Sequence, residues 1–372
     1  MSAQLAARSV RLSILLPTNR RSLLACSRVA QACSWAGPHV EVIVRDNSGD
    51  ARKRELLAHF QHQNCRVITV NPCEAQENFS EILRLATGDF VFCLGDDDFC
   101  FDHAIAELPG AIERIDKDPS IIGITGTYAV ETIKGTSLAK YPNIDSDDVR
   151  ARVVGFLSYP GPNVLFYSAM RRELVSRIFN FMNDMPFGFS FHDQIICLLY
   201  LLNGKFAPLQ RLMYLYDMGV WQSPELAQRR DLDFYMSAGL DPAINKLQWI
   251  ICGFEGASLI VNSDMLAMLP PAQRQPIADI WFTTMFARFK GDTRSAFNSP
   301  LTDEAERRCR KLLQFTGQLT FQRILAEISS FIALSSGDAA QAYLIFWDAI
   351  INRRQPVSRR SSTPRRAAVN QS

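Results

Sequence analysis

The fold of this chain is decided by residues 86–98, ATGDFVFCLGDDD. A helix is predicted over about 77–86 with Gly88 as its stop, and an apolar strand follows at 90–94. Three further strands are predicted upstream, at residues 12–16, 40–44 and 66–70. Two helices are predicted between them, at residues 22–34 and 51–63. Strands that alternate with helices at this spacing predict an α/β domain with parallel crossover connections.

The three aspartates after the fourth strand give the first indication of function. Ligands of open parallel sheets bind beyond the carboxyl ends of the strands, and both Asp46 and Asp96–Asp98 lie at such ends. A lone carboxylate is costly to bury, so these side chains need water, a cation or a ligand. Two carboxylates on a short turn suit a divalent cation that also binds diphosphate oxygens. An exposed acidic turn is the alternative.

The composition narrows the class of protein. Of 372 residues, 47% are apolar, and 40 Lys and Arg face 38 Asp and Glu, which gives a net charge of +2. This balance is ordinary for a soluble globular protein. It excludes a wholly disordered chain, a fibrous repeat and a strongly basic nucleic-acid binder, so no nucleic acid partner is expected. Residues 351–372 hold six arginines and no acidic residue, so the rest of the chain is acidic.

Three regions are predicted along the chain. The α/β pattern occupies residues 1–221, helical patterns without a clear strand occupy 222–351, and the Arg- and Ser-rich tail at 352–372 is predicted to be disordered. The tail is either a solvated end or a peripheral contact with an anionic membrane, where each positive charge contributes about 1 kcal/mol.

The helical region contains an aromatic-rich stripe at helical spacing, formed by Trp281, Phe282, Met285, Phe286 and Phe289. Such a stripe is usually part of a core or a contact in a homo-oligomer. Membrane docking is the alternative.

Cysteine usage and hydropathy indicate the compartment. The nine cysteines are scattered, with no C-x-x-C pair, which is typical of free thiols in a reducing cytosol. The longest apolar run, residues 195–202, is far shorter than the roughly 18 residues that span a bilayer. The N-terminus lacks the apolar segment of a secretory signal. We therefore expect a cytoplasmic protein whose membrane contact, if any, is peripheral at the inner face.

An ordered series of motifs is more specific than any of these features. The motifs are LSILLPTNR at 12–20, VIVRDNS at 42–48, NF at 78–79 and ATGDFVFCLGDDD at 86–98. The series resembles the family 2 glycosyltransferases with the GT-A fold, a Rossmann-like, mostly parallel sheet with flanking helices, here followed by an α-helical C-terminal module. It is most similar to the branch that adds single sugars during bacterial surface-polysaccharide assembly. The resemblance covers about residues 10–220.

The resemblance implies roles for residues at the nucleotide end of the site. Pro17 and Thr18 would line the nucleotide pocket. Asp46 would accept a hydrogen bond from the base, although an Asx turn also explains an aspartate at this place. Asn78 lies where the family often has an Asn near the nucleotide, and capping of the helix start is its alternative role.

The resemblance also implies roles for the acidic turn. Asp96 would contact the ribose and share a divalent cation, Mn²⁺ or Mg²⁺, with Asp98. Asp97 would assist the nucleotide contact or point to solvent. The cation would neutralise the charge that develops on the nucleoside diphosphate as it leaves. Further along, the segment GPNVLFY at 161–167 would shape the floor of the sugar pocket.

The candidate catalytic base is Asp193, in the sequence SFHD at 190–193, which opens an apolar helix over 194–202. The family has an acidic pair here, and His192 replaces the usual Glu. An inverting displacement needs a base that deprotonates the acceptor hydroxyl. A capping box formed by Ser190 and Asp193 is the alternative. His192 would orient Asp193, ligate the metal or contact the acceptor, or it is a packed structural histidine.

Together these features predict an inverting, metal-dependent enzyme that transfers one sugar from a nucleotide donor, with a UDP-sugar favoured. The acceptor would be a glycan or a lipid-linked glycan in O-antigen-like or capsule-like polysaccharide biosynthesis. Processive synthases of the family carry a Gln-x-x-Arg-Trp motif near residues 217–225, and QSPE at 222–225 does not match it. The alternative is a catalytically silent glycosyltransferase-like protein that binds a partner through its helical region.

Overall fold

The structure is a computed structural model that describes residues 10–21, 23–132, 135–159, 163–217, 224–266, 269–315 and 320–352. Its first elements are β1 Leu12–Thr18, α1 Leu23–Ser34, β2 Val40–Asp46, α2 Ala51–Ala58, β3 Cys65–Thr69, α3 Ala75–Leu85 and β4 Phe90–Cys93. The predicted alternation of strands and helices is confirmed. Helix α2 is shorter than predicted, because His62 and Cys65 pair in a tight turn that leads into β3.

The chain then builds the second half of one sheet. Its elements are β5 Phe99–Cys100, α4 Asp102–Ile115, β6 Ile121–Thr132, β7 Gly135–Ala139, α5 Val149–Ser158, β8 Ala169–Arg171, α6 Arg172–Asp184, α7 His192–Asn203 and β9 Lys205–Asp217. The strand order is β3-β2-β1-β4-β8-β6-β9-β5, and β7 pairs with β6. Strands β1 to β4 are parallel, β8 is antiparallel to β4 and β6, and β6 is parallel to β9. The sheet is therefore mixed, with its parallel half at the N-terminal side.

The register of the parallel half brings the predicted site residues to one edge. Thr18 pairs with Asp46 at the carboxyl ends of β1 and β2, and Leu15 pairs with Cys93, so β4 ends beside them. Strands β1, β2 and β4 are buried on both faces, as expected for a parallel sheet covered by helices. The acidic turn that follows β4 must therefore emerge next to Thr18 and Asp46.

Thr87 and Gly88, at the start of the segment 86–98, are hydrogen-bonded to side chains of β1 and β2. Thr87 donates to Glu41 Oε1 from its backbone N–H at 2.6 Å and from its hydroxyl at 2.8 Å. The Gly88 N–H donates to Ser13 Oγ at 2.8 Å, and a Cβ on Gly88 would lie 2.8 Å from the Ser13 backbone nitrogen. The predicted role of Gly88 as a helix stop is wrong, because Ala86 is the C-cap of α3 and Gly88 does not adopt the left-handed conformation of a stop glycine. Glycine is needed here for close approach to β1.

The described residues from 224 to 352 form helices and short 3₁₀ turns but no strand. The helices are α8 Pro224–Ser237, α9 Gln248–Asn262, α10 Pro271–Gly291, α11 Thr302–Gln314, α12 Phe321–Ile332 and α13 Gly337–Ile351. Helix α9 packs along α10 and contacts α7, and α10 contacts α5. The helical region is therefore joined to helices that flank the sheet.

The aromatic stripe of α10 lies at the junction with α9. Trp281, Met285 and Phe289 are buried, and Trp281 Nε1 donates to the Cys252 carbonyl at 3.0 Å. Gly256 allows this contact, since a Cβ there would overlap the Trp281 indole. These contacts agree with the core interpretation of the stripe.

Some predictions fall outside the described residues. The boundary between 221 and 222 lies within 218–223, and the first residues of the segment 161–167 lie within 160–162. All of the predicted tail at 352–372 except its first residue lies within 353–372. Among the residues that are described, no helix is both long enough and apolar enough to cross a membrane.

Candidate active site

The carboxyl ends of β1, β2 and β4 carry a polar group of side chains that we call the strand-end cluster, formed by Thr18, Arg20, Asp46, Lys53 and Asp96–Asp98. Thr18 Oγ1 donates to Asp96 Oδ2 at 2.6 Å and accepts from Lys53 Nζ at 2.7 Å. Pro17, the neighbour of Thr18 on β1, is half-buried. The residues predicted from three separate motifs therefore meet in one place.

Asp46 is fully buried, and Lys53 compensates its charge across a distance of 3.0 Å between Nζ and Oδ1. Lys53 points inward because Asp50 caps α2 by accepting from the Lys53 backbone N–H at 2.9 Å. Asp46 Oδ1 also accepts from the Ser48 N–H at 3.1 Å, which is the Asx turn considered above. Asp46 Oδ2 is buried and has no hydrogen-bond partner among the described residues. The turn is thus compatible with a second role, in which Oδ2 accepts from a ligand.

Arg20 neutralises two aspartates of the acidic turn. Its Nη1 pairs with Asp96 Oδ1, and its Nη2 lies 2.6 Å from Asp97 Oδ2. The Arg20 backbone N–H also donates to Asp96 at 3.3 Å. Burial lowers the pKa of Arg20, but the charges of Asp96 and Asp97 outweigh burial and raise the pKa above its usual value. The guanidinium therefore stays charged between the two carboxylates.

Asp98 is held by an aromatic pair. It is buried, and its Oδ2 accepts from the Tyr214 hydroxyl at 2.7 Å. The ring of Tyr214, on β9, stacks on Tyr167 with 4.6 Å between centroids. Gly95 permits the turn, because a Cβ there would lie 2.7 Å from Asp98 Oδ2. Burial and then the charge of Asp98 raise the pKa of both phenols well above its usual value, so both phenols stay neutral.

Asn78 is buried between α3 and the end of β2. Its Nδ2 donates to the Arg45 carbonyl at 3.3 Å and to Asn47 Oδ1 at 3.0 Å, and its Oδ1 accepts from the Arg45 guanidinium. It does not cap α3, whose N-cap residue is Glu74. Asn78 therefore holds the chain next to Asp46, and its contact with a nucleotide stays a prediction.

The acidic turn offers oxygen ligands of the kind that hard divalent cations prefer. Among the described residues, no group of three or more His, Cys, Asp or Glu side chains is placed to hold a metal. Asp96 and Asp97 face Arg20, whereas Asp98 accepts from a neutral phenol. Because Mg²⁺ often binds through one or two carboxylates plus substrate phosphates, the turn fits a cation that arrives with a diphosphate.

Asp193 lies in the first turn of α7. Its Oδ1 accepts from the Gln194 N–H at 2.7 Å, and the predicted capping box is not formed, since α7 has no side-chain cap at Phe191. The side chain reaches solvent, yet the protein around it removes much of its hydration. This desolvation raises the pKa of Asp193 to about 6, against the opposing effects of Gln194, Asn163 and His192. A carboxylate with this pKa is suited to act as a general base near neutral pH.

Tyr167 links the strand-end cluster to Asp193. Burial raises the pKa of Tyr167, and the charges of Asp98 and Asp193 both add to the rise, so the phenol lies within electrostatic reach of both. The Asn163 side chain faces Asp193 and lowers its pKa. The segment predicted to form the floor of the sugar pocket thus lies near both acidic groups.

His192 faces the helical region. Its Nε2 lies 3.2 Å from Glu255 Oε2 on α9, and its Nδ1 accepts from the Phe189 N–H at 3.3 Å. Glu255 is fully buried, and its Oε1 accepts from the Tyr343 hydroxyl on α13 at 2.9 Å. This placement favours an orienting or packed histidine over a metal ligand.

Four residues of the site were missed by sequence reasoning: Arg20, Lys53, Tyr214 and Glu255. Lys53 had a local signal, because it follows a capping aspartate by three residues in the first turn of α2. Tyr214 and Glu255 had none, because their partners Asp98 and His192 are far away in sequence.

Comparison with known proteins finds a family match for part of the chain and a likeness in fold to solved structures. Residues 13–179 match the model of Glycosyl transferase family 2. The crystal structure of S. aureus TarS 1-349 is similar over 92% of this chain and 92% of that one, with 14% identity and a TM-score of 0.52. The complex of TarS 1-349 with UDP-GlcNAc has the same coverage and TM-score at 15% identity. A search of curated protein sequences finds no match. At these identities the structural likeness establishes the GT-A-like fold with a helical C-terminal region.

Proposed function

We propose, from the premise that the chain belongs to the family 2 glycosyltransferases through its domain at residues 13–179, that it transfers a single sugar from a UDP-sugar with inversion. The acceptor would be a glycan or a lipid-linked glycan of a bacterial surface polysaccharide. The structure of TarS bound to UDP-GlcNAc supports a UDP-linked donor. The enzyme would act in the cytoplasm, with its arginine tail at the inner face of the membrane.

The observation that carries the proposal is that the charges of Asp193 and of Asp98, in the strand-end cluster, both reach the Tyr167 phenol, so the two acidic groups lie near one another. A displacement at an anomeric carbon needs a base on one side and a stabilised leaving group on the other. Asp193 reaches solvent and has a raised pKa, so it can take the proton of an acceptor hydroxyl. The strand-end cluster carries the residues that would hold the nucleotide.

The strand-end cluster would bind the nucleoside diphosphate. The unpartnered Oδ2 of Asp46 would accept a hydrogen bond from the base of the nucleotide. Pro17 and Thr18 would line the pocket with Asn78 behind them. Asp96 would contact the ribose with help from Asp97. A divalent cation, Mn²⁺ or Mg²⁺, held by Asp98 with Asp96 nearby, would supply positive charge to the leaving diphosphate.

The regional division is part of the proposal. Residues 1–221 would form the catalytic unit, 222–351 a helical module and 352–372 a tail. The contacts of α9 with α7 and of α10 with α5 support a helical module that packs beside the catalytic base.

The first experiment measures binding and turnover with purified protein. In a thermal-shift panel of nucleotide sugars with Mg²⁺ or Mn²⁺, a true donor at 100 times its Kd should stabilise the fold by about 2.7 kcal/mol. With that donor, Asp193→Asn should lower kcat by about 10²–10⁴-fold, because a general base contributes that much. Donor binding should be retained, and wild-type kcat/KM should fall as the pH drops below about 6, since protonation removes the base.

Asp184→Asn is the matched control, since Asp184 is an exposed aspartate at the end of α6. Its turnover should equal that of the wild type. Wild-type turnover in Asp193→Asn would overturn the assigned base. No donor binding with either metal, together with stable capture of a protein partner, would instead favour the catalytically silent alternative.

A further inference from the structure

We propose that Glu255, on α9 of the helical region, is a positioning residue for the catalytic base and acts on Asp193 through His192. The inference rests on the proposed function, since it assigns a support to the base of that reaction. It starts from a fully buried carboxylate, which is costly unless its oxygens are hydrogen-bonded or its charge is compensated.

Both oxygens of Glu255 are engaged. Oε2 lies 3.2 Å from His192 Nε2, and Oε1 accepts from the Tyr343 hydroxyl at 2.9 Å. Glu255, His192 and Tyr343 come from three helices that are far apart in sequence, so the contact depends on how α7, α9 and α13 pack. A hydrophobic side chain would fill the same space without the desolvation cost, so a role in the site accounts for the charge.

The histidine is fixed in one orientation. Its Nδ1 accepts from the Phe189 N–H at 3.3 Å, so the proton of a neutral ring lies on Nε2 and faces Glu255. With both ring nitrogens engaged, the ring cannot turn without losing a hydrogen bond. Asp193 is the next residue of the same helical turn, so fixing His192 also fixes the backbone from which Asp193 projects.

The loop before α7 is held by other residues of the helical region. The Phe187 ring stacks on Tyr343 with 5.4 Å between centroids. The Arg288 guanidinium donates to Gln194 Oε1 at 3.1 Å, on the residue that follows Asp193. The residues on both sides of the base therefore contact the helical region, and Glu255 supplies the negatively charged contact.

The electrostatic consequence has a defined sign. Glu255 holds the His192 ring at 3.2 Å, and His192 in this position lowers the pKa of Asp193. Loss of Glu255 should therefore raise the pKa of Asp193, so that less of the base is ionised near pH 6.

The other ionisable groups near Asp193 and Glu255 keep one protonation state near neutral pH. Near Asp193 they are Tyr167, Cys197 and Cys252, and near Glu255 they are Tyr343 and Cys252. Burial raises the pKa of all four well above its usual value, so they stay neutral. Arg288 faces Cys252 and keeps its charge near neutral pH, although burial lowers its pKa.

The test reads the pKa of Asp193 without a substrate. Full-length protein with ¹³C-labelled aspartate carboxyl groups is titrated by NMR, and the Asp193 signal is assigned by its absence in Asp193→Asn. We expect a midpoint near pH 6 in the wild type and a midpoint higher by about 0.5–1 in Glu255→Gln. Glu255→Gln should also lower kcat at pH 6 by about two- to fivefold, because the ionised fraction at pH 6 falls from about one half to between about one quarter and one tenth when the pKa rises by about 0.5–1.

A double-mutant cycle shows whether Glu255 acts through His192. His192→Gln should raise the Asp193 midpoint by itself, and adding Glu255→Gln to it should produce no further rise. Ser258→Ala is the matched control, because the Ser258 hydroxyl lies on the same helix, is buried and has no partner among the described residues. It should leave the midpoint unchanged.

An unchanged Asp193 midpoint in Glu255→Gln would overturn the inference. If that variant does not fold, His192→Gln decides, and an unmoved midpoint there would overturn it equally. Neither result would contradict the proposed transfer reaction, which is tested separately by the turnover of Asp193→Asn.

Discussion

The two acidic groups of the site are held in different ways. In the strand-end cluster, Asp46 is buried against Lys53, and Asp96 and Asp97 share Arg20, so three of the four carboxylates have a cation from the first hundred residues. The fourth, Asp98, accepts from the Tyr214 hydroxyl. Asp193 reaches solvent and has a raised pKa. Its supports, Glu255 and residues near it, come from the helical region more than sixty residues later.

The two acidic groups correspond to two different requirements of a transferase, a nucleotide pocket and a general base. A nucleotide pocket needs fixed donors and acceptors, which buried ion pairs provide at the ends of parallel strands. A base needs a carboxylate that can change its protonation state, so it cannot be neutralised by a fixed cation. The comparison predicts that damage to one group should leave the properties of the other largely intact.

The largest expected effect is on the strand-end cluster. Lys53→Met removes the compensating charge and leaves Asp46 buried without a cation, which should lower the free energy of unfolding by about 3–5 kcal/mol. Denaturant unfolding measures this loss. The fraction that stays folded should bind UDP weakly, while the pKa of Asp193 should not move.

Lys117→Met is the control for this prediction, because Lys117 is an exposed lysine after α4. Its unfolding free energy should change by less than about 0.5 kcal/mol. If the two lysine variants were equally stable, the buried pair would not be what holds Asp46.

A smaller effect is expected at the junction of α9 and α10, which lies next to the contact of Glu255 with the proposed base region. Gly256→Ala places a Cβ against the Trp281 indole between α9 and α10, and overpacking of this kind costs about 1–3 kcal/mol. Because α9 carries Glu255, kcat should fall while the apparent affinity for the donor is retained. Thermal unfolding and steady-state kinetics measure both effects.

Gly291→Ala is the matched control at the end of α10, where a Cβ would meet no atom within 4 Å. There, alanine should leave the protein unchanged or slightly more stable, since alanine favours helix more than glycine does. An equal loss of donor affinity and kcat in Gly256→Ala would contradict the separation of the two groups.

The smallest expected effect concerns the contact between Asp98 and Tyr214. Tyr214→Phe removes the hydroxyl that orients Asp98, and the loss of such a support typically weakens metal binding by about tenfold, or about 1.4 kcal/mol. Calorimetric titration of Mn²⁺ in the presence of UDP measures this change. Tyr159→Phe, at a half-buried tyrosine after α5, should bind Mn²⁺ as the wild type does, and equal affinities in both variants would contradict the role of Asp98.

Much of the strand-end cluster could be predicted from local sequence. Thr18, Asp46 and Asp96 each follow an apolar run that could only be a buried strand, and parallel connections bring such ends to one edge. The partner of Asp46 was also within reach, since Asp50 fixes the first turn of α2 and Lys53 lies on it. The reason given for Gly88 was wrong, because its close contact with Ser13 lies across the sheet.

The amino-acid sequence alone determined the α/β fold class, the position of the acidic turn and the identity of Asp193 as the candidate base. The first two follow from patterns that repeat every two to four residues, and the third follows from the resemblance of the ordered motifs to the family 2 glycosyltransferases. Only the tertiary structure decided that Arg20 faces Asp96 and Asp97, that Tyr214 holds Asp98 and that Glu255 holds His192. Such contacts join helices and strands that are distant along the chain, and their formation depends on packing, which no local pattern encodes.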